Sequence, residues 1–124
     1  MQRALFLLVG AFVVLIGLVL LVIPDSYFRF YAVSYVPGMD FPARRFAPAV
    51  LALGAVLIVA RHLEPGRFLA TLCLISGLAF LGVAATGVLE WSRGIARPMI
   101  LGTATLESII AALFLGLWMR MRKL

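Results

Sequence analysis

Charged residues are scarce in this sequence. Asp, Glu, Lys and Arg make up 13% of the 124 residues, whereas hydrophobic residues make up 65%. A soluble globular domain is about half apolar and about a quarter charged. So few charges cannot cover a surface that faces water. The composition therefore predicts a single integral membrane domain over residues 1–124.

Acids are few, and cysteine and histidine occur once each. The chain has five Asp and Glu residues, one cysteine and one histidine. A single cysteine cannot form an internal disulfide or a dithiol redox pair, and a single histidine cannot supply both axial ligands of a haem. The sequence also lacks a glycine-rich phosphate loop and a dinucleotide-binding fingerprint. We therefore predict no catalytic residues, no metal site and no cofactor, which favours a non-enzymatic role.

Basic residues outnumber acids, and the net charge is +6. The Lys and Arg side chains lie at the ends of apolar runs, where interface anchors of membrane proteins lie. A nucleic-acid-binding protein would instead carry them on one face or along a stripe. The distribution predicts contact with membrane lipids and no binding of nucleic acid.

Four long apolar runs dominate the sequence. The predicted membrane spans are 4–23, 46–63, 68–90 and 98–119, close to the ~20 residues that a spanning helix needs. Residues 25–45 are rich in aromatic side chains, which favours a position at the water–lipid boundary. The predicted fold class is all-α: a four-transmembrane-helix bundle of two antiparallel hairpins, with an aromatic interfacial segment after the first helix.

Small residues recur along the last two spans. Ala104, Ser108, Ala112 and Gly116 are spaced by four and form one stripe of a helix, and the third span contains Gly77 and Gly82. Inside lipid, small side chains allow two helix backbones to approach closely. These residues predict helix-packing contacts, either in a homo-oligomer or with a larger membrane protein complex.

Glu107 lies near the middle of the fourth span. An ionised carboxylate at that depth costs at least ~2.5–3.5 kcal/mol, so such residues usually have a role. One interpretation is a binding site in the outward-facing half of the bundle. Its predicted residues are Glu107, Arg45, Arg44, Glu90, Thr103, Thr86, Arg97 and Tyr35. The alternative is a structural carboxyl group that is hydrogen-bonded to Thr103, to Ser108 or to another helix.

The layout of the spans resembles that of a known group. An arginine-led second span (Arg44 and Arg45, through Gly54), a glycine-rich third span and the late acid Glu107 resemble small four-span bacterial inner-membrane proteins of the DoxX-like kind and allied families of unknown function. The resemblance implies an accessory role in the inner membrane, in some relatives associated with quinone or thiol redox chemistry. The chain is also similar in size to small multidrug-type exporters, but these carry their proton-coupling acid in the first span, where this chain has none.

Three functions remain open from the sequence. The first is an accessory or structural subunit that packs with itself or with a larger membrane partner. The second is a binder of a lipid- or quinone-like amphiphile in an outward-facing polar pocket. The third is a small proton-coupled transporter. With four spans both termini lie on one side, which holds six of the eleven basic residues, so the positive-inside rule favours cytoplasmic termini.

Overall fold

The computed structural model describes residues 1–124 and is built from helices, without strands. Helical residues account for 82% of the chain. The five α-helices are α1 (Gln2–Val22), α2 (Pro24–Tyr31), α3 (Asp40–Ala60), α4 (Arg67–Ser92) and α5 (Met99–Met121), with a short 3-10 helix at Pro37–Met39. Four of them, α1, α3, α4 and α5, are long and apolar enough to cross a membrane. The predicted all-α fold class is confirmed.

The chain forms two compact units, Met1–His62 and Leu63–Leu124. In the first unit α1 packs against α3, and in the second α4 packs against α5. Each unit is therefore one helical hairpin. A helix of 21 residues, such as α1, is ~31 Å long at ~1.5 Å per residue, which matches a hydrocarbon core ~30 Å thick.

The seam of the first hairpin is made where two glycines face each other. A Cβ added at Gly54 would lie 2.8 Å from the Val14 nitrogen and 2.9 Å from the Gly10 oxygen. A Cβ added at Gly17 would lie 2.8 Å from the side chain of Leu51. The backbones of α1 and α3 are therefore in direct contact, which only glycine permits at these positions.

The seam of the second hairpin combines glycines with rings. Gly77 lies against Leu115, and Gly87 lies against Ile100. Phe80 of α4 stacks on the buried Phe114 of α5, with 6.3 Å between ring centroids. The buried face of α5 advances in steps of three and four residues, or adjacent pairs: Ala104, Glu107, Ile110, Ala111, Phe114, Leu117 and Met121. This spacing keeps one face of α5 turned toward α4 along the whole helix.

Helix α3 starts earlier in the chain than the predicted span 46–63. It begins at Asp40. Pro42 is accommodated because it falls in the first turn, where backbone N–H groups have no partner within the helix. Arg44 and Arg45 are exposed side chains of this helix and do not interrupt it. Pro48 lies inside the helix, and its missing N–H removes one backbone hydrogen bond there.

Helix α4 ends two residues beyond the predicted span, at Ser92. Gly94 has a φ of 76°, a left-handed conformation that glycine adopts without strain. Its N–H donates to the Trp91 carbonyl, and the Ile95 N–H donates to the Glu90 carbonyl, both at 3.0 Å. This pair of bonds is a Schellman motif, which satisfies the last carbonyls of the helix.

We expect Gly54→Ala to destabilise the first hairpin. The new methyl group would overlap backbone atoms of Val14 and Gly10, so the helices must separate. Overpacking of this kind costs about 1–3 kcal/mol. Reversible unfolding in mixed micelles, followed by circular dichroism, measures the change.

Gly82→Ala is the matched control, since a Cβ there meets nothing within 4 Å. It should leave stability unchanged or raise it by up to about 1 kcal/mol, because alanine loses less backbone entropy in a helix. Equal stability of the Gly54→Ala and Gly82→Ala variants would contradict the close contact of α1 with α3.

Candidate functional site

Arg44 binds the end of the neighbouring helix in the first hairpin. Helix α1 stops before Pro24, which has no N–H to donate back to it. Carbonyl groups in a last helical turn lack partners and carry partial negative charge. The Nε–H of Arg44 donates to the carbonyl of Leu21, at 3.3 Å. Arg44 therefore ties α3 to the C-terminal end of α1, a structural contact that the sequence did not predict.

The aromatic segment between α1 and α3 forms a stacked cluster. Phe28 stacks on Tyr35, with 6.2 Å between ring centroids, and Tyr27 lies 4.9 Å from Tyr31. The guanidinium of Arg29 lies 4.9 Å from the centre of the Tyr35 ring, within the range of a cation–π interaction. The cluster fixes the position of Tyr35.

Tyr35 is in turn joined to the first turn of α3. Its hydroxyl donates to Asp40 Oδ2, at 2.8 Å, across the Pro37–Met39 turn. The other carboxylate oxygen, Asp40 Oδ1, is buried and has no hydrogen-bond partner. Partial burial, together with the hydrogen bond to Asp40 and its negative charge, raises the pKa of Tyr35. Sequence reasoning missed Asp40, although its position just after the Pro–Gly turn placed it near Tyr35.

An open groove lies at this end of the first hairpin. It has a volume of about 650 Å³ and is lined by Pro37, Asp40, Phe41, Arg44 and Arg45. Arg44 and Arg45 are exposed and form no ion pair. Three residues of the predicted site therefore lie at this end of the hairpin. Arg44 and Arg45 line the groove together with Phe41, and Tyr35 is bonded to Asp40, which also lines it.

Glu107 is buried inside the second hairpin, with 9% of its surface exposed. It lies on the face of α5 that contacts α4, at a level between Gly77 and Gly87. The Ser108 hydroxyl donates to the Ala104 carbonyl, at 2.8 Å, and so does not donate to Glu107. The carboxylate of Glu107 forms no ion pair in this hairpin.

Two of the other predicted residues of the second hairpin, Glu90 and Thr86, do not contact Glu107. Glu90 forms an exposed ion pair with Arg93, at 3.6 Å, and the Thr86 hydroxyl donates to the carbonyl of Val83, at 2.7 Å. Glu90 lies beyond the level at which Gly87 meets Ile100, at least ~10 Å along the helix axis from Glu107.

Thr103 and Arg97 complete the predicted site. Thr103 is half-buried one turn before Glu107, and Arg97 is exposed in the connection that precedes α5. The predicted ligand-binding set is therefore divided between the hairpins: Tyr35, Arg44 and Arg45 belong to the first, and the other five residues belong to the second. A single pocket formed by all eight stays a prediction.

The predicted packing residues also divide. Gly77 lies in the seam between α4 and α5, and a Cβ at Gly82 or Gly116 would meet nothing within 4 Å. A spacing of four advances ~40° around a helix at each step, because a turn holds ~3.6 residues. The stripe therefore turns away from α4: Ala104 is buried, whereas Ser108 and Ala112 are exposed.

We expect Asp40→Asn to lower the pKa of Tyr35. The substitution removes the negative charge beside the hydroxyl, while the partial burial remains. The pKa of Tyr35 is higher in the folded protein than in the unfolded chain. Any stability that the neutral Tyr35 hydroxyl contributes is therefore present below pH ~10 and is lost as the pH rises through the pKa of Tyr35 in the folded protein. Tyrosinate absorbance as a function of pH measures the titration, with Tyr27→Phe and Tyr31→Phe in every sample.

Asp25→Asn serves as the control. It removes a more weakly acting charge, so its effect on Tyr35 should be smaller and in the same direction. A Tyr35 titration that does not respond to Asp40→Asn would contradict the hydrogen bond.

Comparison of the chain with protein-family models, with curated proteins and with solved structures gives no match. The resemblance to DoxX-like proteins, which rests on the layout of the spans, stays a prediction. The function is inferred from the chain's own residues.

Proposed function

We propose that the chain is a non-catalytic integral membrane protein that acts as an accessory subunit, packing laterally against copies of itself or against a larger membrane protein. The observation that carries this proposal is the face of α5 formed by Ser108, Ala112 and Gly116. These small residues are not used in the seam with α4. Small residues on a lipid-exposed helix face favour close approach of another helix.

The chemistry of the polar residues supports a packing role over catalysis. Glu90 and Arg93 form an exposed ion pair, and the Thr86 and Ser108 hydroxyls donate to carbonyls of their own helices. Such contacts satisfy side chains locally and leave no nucleophile beside a base. They suit a helix that presents its surface to another helix.

The proposed location is the bacterial inner membrane, with both termini in the cytoplasm. Arg120, Arg122 and Lys123 lie at or just after the end of α5. Basic residues immediately beyond a span favour the cytoplasmic side. The location follows the DoxX-like resemblance, and the orientation follows the distribution of charge.

The proposal predicts self-association, or a partner, that depends on the α5 face. In liposomes, donor- and acceptor-labelled copies of the purified protein should show energy transfer that rises with the protein-to-lipid ratio. Ala112→Leu should weaken it at least ~10-fold, because a bulky side chain keeps the backbones apart. The same variant should lose the partner that co-purifies with the wild type from native membranes, if association is with another protein.

Ala85→Leu is the matched control, since it adds the same atoms at an exposed position of α4. The proposal would be overturned if the wild type showed neither energy transfer nor a co-purifying partner. It would also be overturned if Ala112→Leu and Ala85→Leu reduced association equally.

We expect Glu107→Gln to be tolerated by an accessory subunit. Glutamine has almost the same shape and removes the possibility of an unpaired buried charge, so the thermal stability of the protein in detergent should be unchanged or higher. Association measured as above should be retained. Substrate-dependent proton flux that the wild type shows and this variant lacks would instead establish the transporter.

One observation favours a second function, the binding of a lipid- or quinone-like amphiphile. The groove beside Arg44 and Arg45 combines two exposed guanidinium groups with the exposed ring of Phe41. It has the mixed polar and apolar lining that recognises a molecule with a polar head and an apolar body. Arg45→Ala should then weaken binding of a labelled amphiphile, while the packing function should remain.

A further inference from the structure

A second cavity lies in the second hairpin, at the end opposite Glu90. It has a volume of about 590 Å³ and lies between the first turn of α4 and the last turn of α5. Side chains at its rim and floor include Arg67, Ala70, Thr71, Trp118, Met121 and Arg122. Its size is within the ~300–1,000 Å³ typical of sites for small ligands. None of the residues predicted from sequence to bind a ligand belongs to it.

The polar part of this basic cavity is positively charged. Arg67 and Arg122 line it and no acidic side chain does, although Leu124, the last residue of the sequence, lines it too. The guanidinium of Arg122 lies 4.8 Å from the centre of the Trp118 ring. A guanidinium held on an aromatic ring keeps its N–H groups available, and their planar arrangement matches the oxygens of a phosphate.

The floor of the basic cavity is apolar. Ala70 and Met121 are 6% and 7% exposed, so they close the space between the two helices. Thr71 donates its hydroxyl to the Arg67 carbonyl, at 2.9 Å, and so presents mainly its methyl group. A ligand in this cavity would therefore meet cations on its polar side and hydrocarbon beneath.

An exposed apolar track continues from the cavity along α4. Ile75 and Leu78 follow Thr71 at spacings of four and seven, so all three lie on one face of the helix. Ile75 is 59% exposed and Leu78 is 54% exposed. The face therefore changes from cationic at Arg67 to apolar at Ile75 and Leu78 over about three turns, in the direction that leads from the membrane surface into the hydrocarbon.

We propose that the basic cavity binds the head group of an anionic phospholipid. The phosphodiester lies between Arg67 and Arg122, and an acyl chain follows Ile75 and Leu78. Arginine pairs strongly with phosphate, and basic pockets between transmembrane helices on the cytoplasmic side are suited to anionic head groups. The apolar track selects a lipid over free phosphate. This site is independent of the packing face on α5 and of the groove in the first hairpin.

Trp118 makes occupancy of the site measurable. The chain has two tryptophans, so Trp91→Phe leaves Trp118 as the single tryptophan, whose emission is excited selectively at wavelengths that tyrosine does not absorb. The full-length protein is reconstituted in phosphatidylcholine bilayers that contain phosphatidylglycerol, with bromine on the acyl chains of one lipid or the other. We expect brominated phosphatidylglycerol to quench Trp118 more strongly than brominated phosphatidylcholine at equal mole fraction, with a relative binding constant of about 5 to 10.

Two double variants separate a defined site from general attraction to a charged surface. Arg67→Gln with Arg122→Gln should reduce the relative binding constant to about 1. Arg120→Gln with Lys123→Gln removes the same charge from residues that do not line the cavity, and should retain most of the preference. Arg67→Gln alone leaves the stack of Arg122 on Trp118 intact and should give an intermediate value.

Three results would overturn the proposal. The first is equal quenching by the two brominated lipids in the Trp91→Phe protein. The second is an equal loss of preference in both double variants, which would indicate diffuse charge without a site. The third is loss of the preference on addition of inorganic phosphate at constant ionic strength, which would assign the cavity to a free phosphate. Circular dichroism of each variant confirms that the hairpin remains folded.

Discussion

Direct contact between helix backbones is the constraint on which the first hairpin depends. Gly10 and Gly54 face each other so closely that a single methyl group would meet backbone atoms. In lipid, apolar side chains gain little by leaving one hydrocarbon environment for another, so association relies on close packing. The glycine contact sets the register of α1 and α3, and this register brings Arg44 to the Leu21 carbonyl. The same contact therefore positions the helix end and the groove beside it.

The second hairpin solves the same problem with a mixture of side chains. Gly77 and Gly87 admit Leu115 and Ile100, while Phe80 and Phe114 fill the wider part of the seam by stacking. Glu107 is enclosed on the same buried face. The seam thus lies on the face of α5 whose residues follow one another at alternating spacings of three and four. The small residues spaced strictly by four turn away from it, so that Ala104 is buried in the seam whereas Ser108 and Ala112 are exposed.

Much of the fold was predictable from the sequence, because long apolar runs leave few alternatives to spanning helices. The start of α3 was not, since its first two turns carry Asp40, Arg44 and Arg45. Hydropathy marks the edge of the apolar run and not the edge of the helix. The seam of the second hairpin was predicted only in part. A stripe of small residues identifies a helix that can pack, but it does not tell which side meets the partner within the same chain.

The site was less predictable than the fold. Arg44 and Arg45 were singled out from their position at the head of a span, and Tyr35 from the aromatic segment. Asp40, to which Tyr35 is hydrogen-bonded, gave no signal in hydropathy. Glu90 and Glu107 were already distinguishable in the sequence, since Glu90 lies beside Arg93 at the end of a span and Glu107 lies in the middle of one. One ends a helix in an exposed ion pair and the other is buried, a difference that depends on where α4 stops and which face α5 turns inward.

Pro48 gives α3 an uneven stiffness. Its ring nitrogen cannot donate to the carbonyl of Arg44. One backbone hydrogen bond of α3 is therefore missing between the charged first turns and the glycine contact at Gly54. Helices bend most readily where a backbone hydrogen bond is missing. The N-terminal turns of α3 are therefore held less by the helix itself than by the bond from Arg44 to the Leu21 carbonyl, while Gly54 stays packed against α1. All residues that line the groove precede Pro48, so a bend at Pro48 would move the groove as one piece without changing the contact at Gly54.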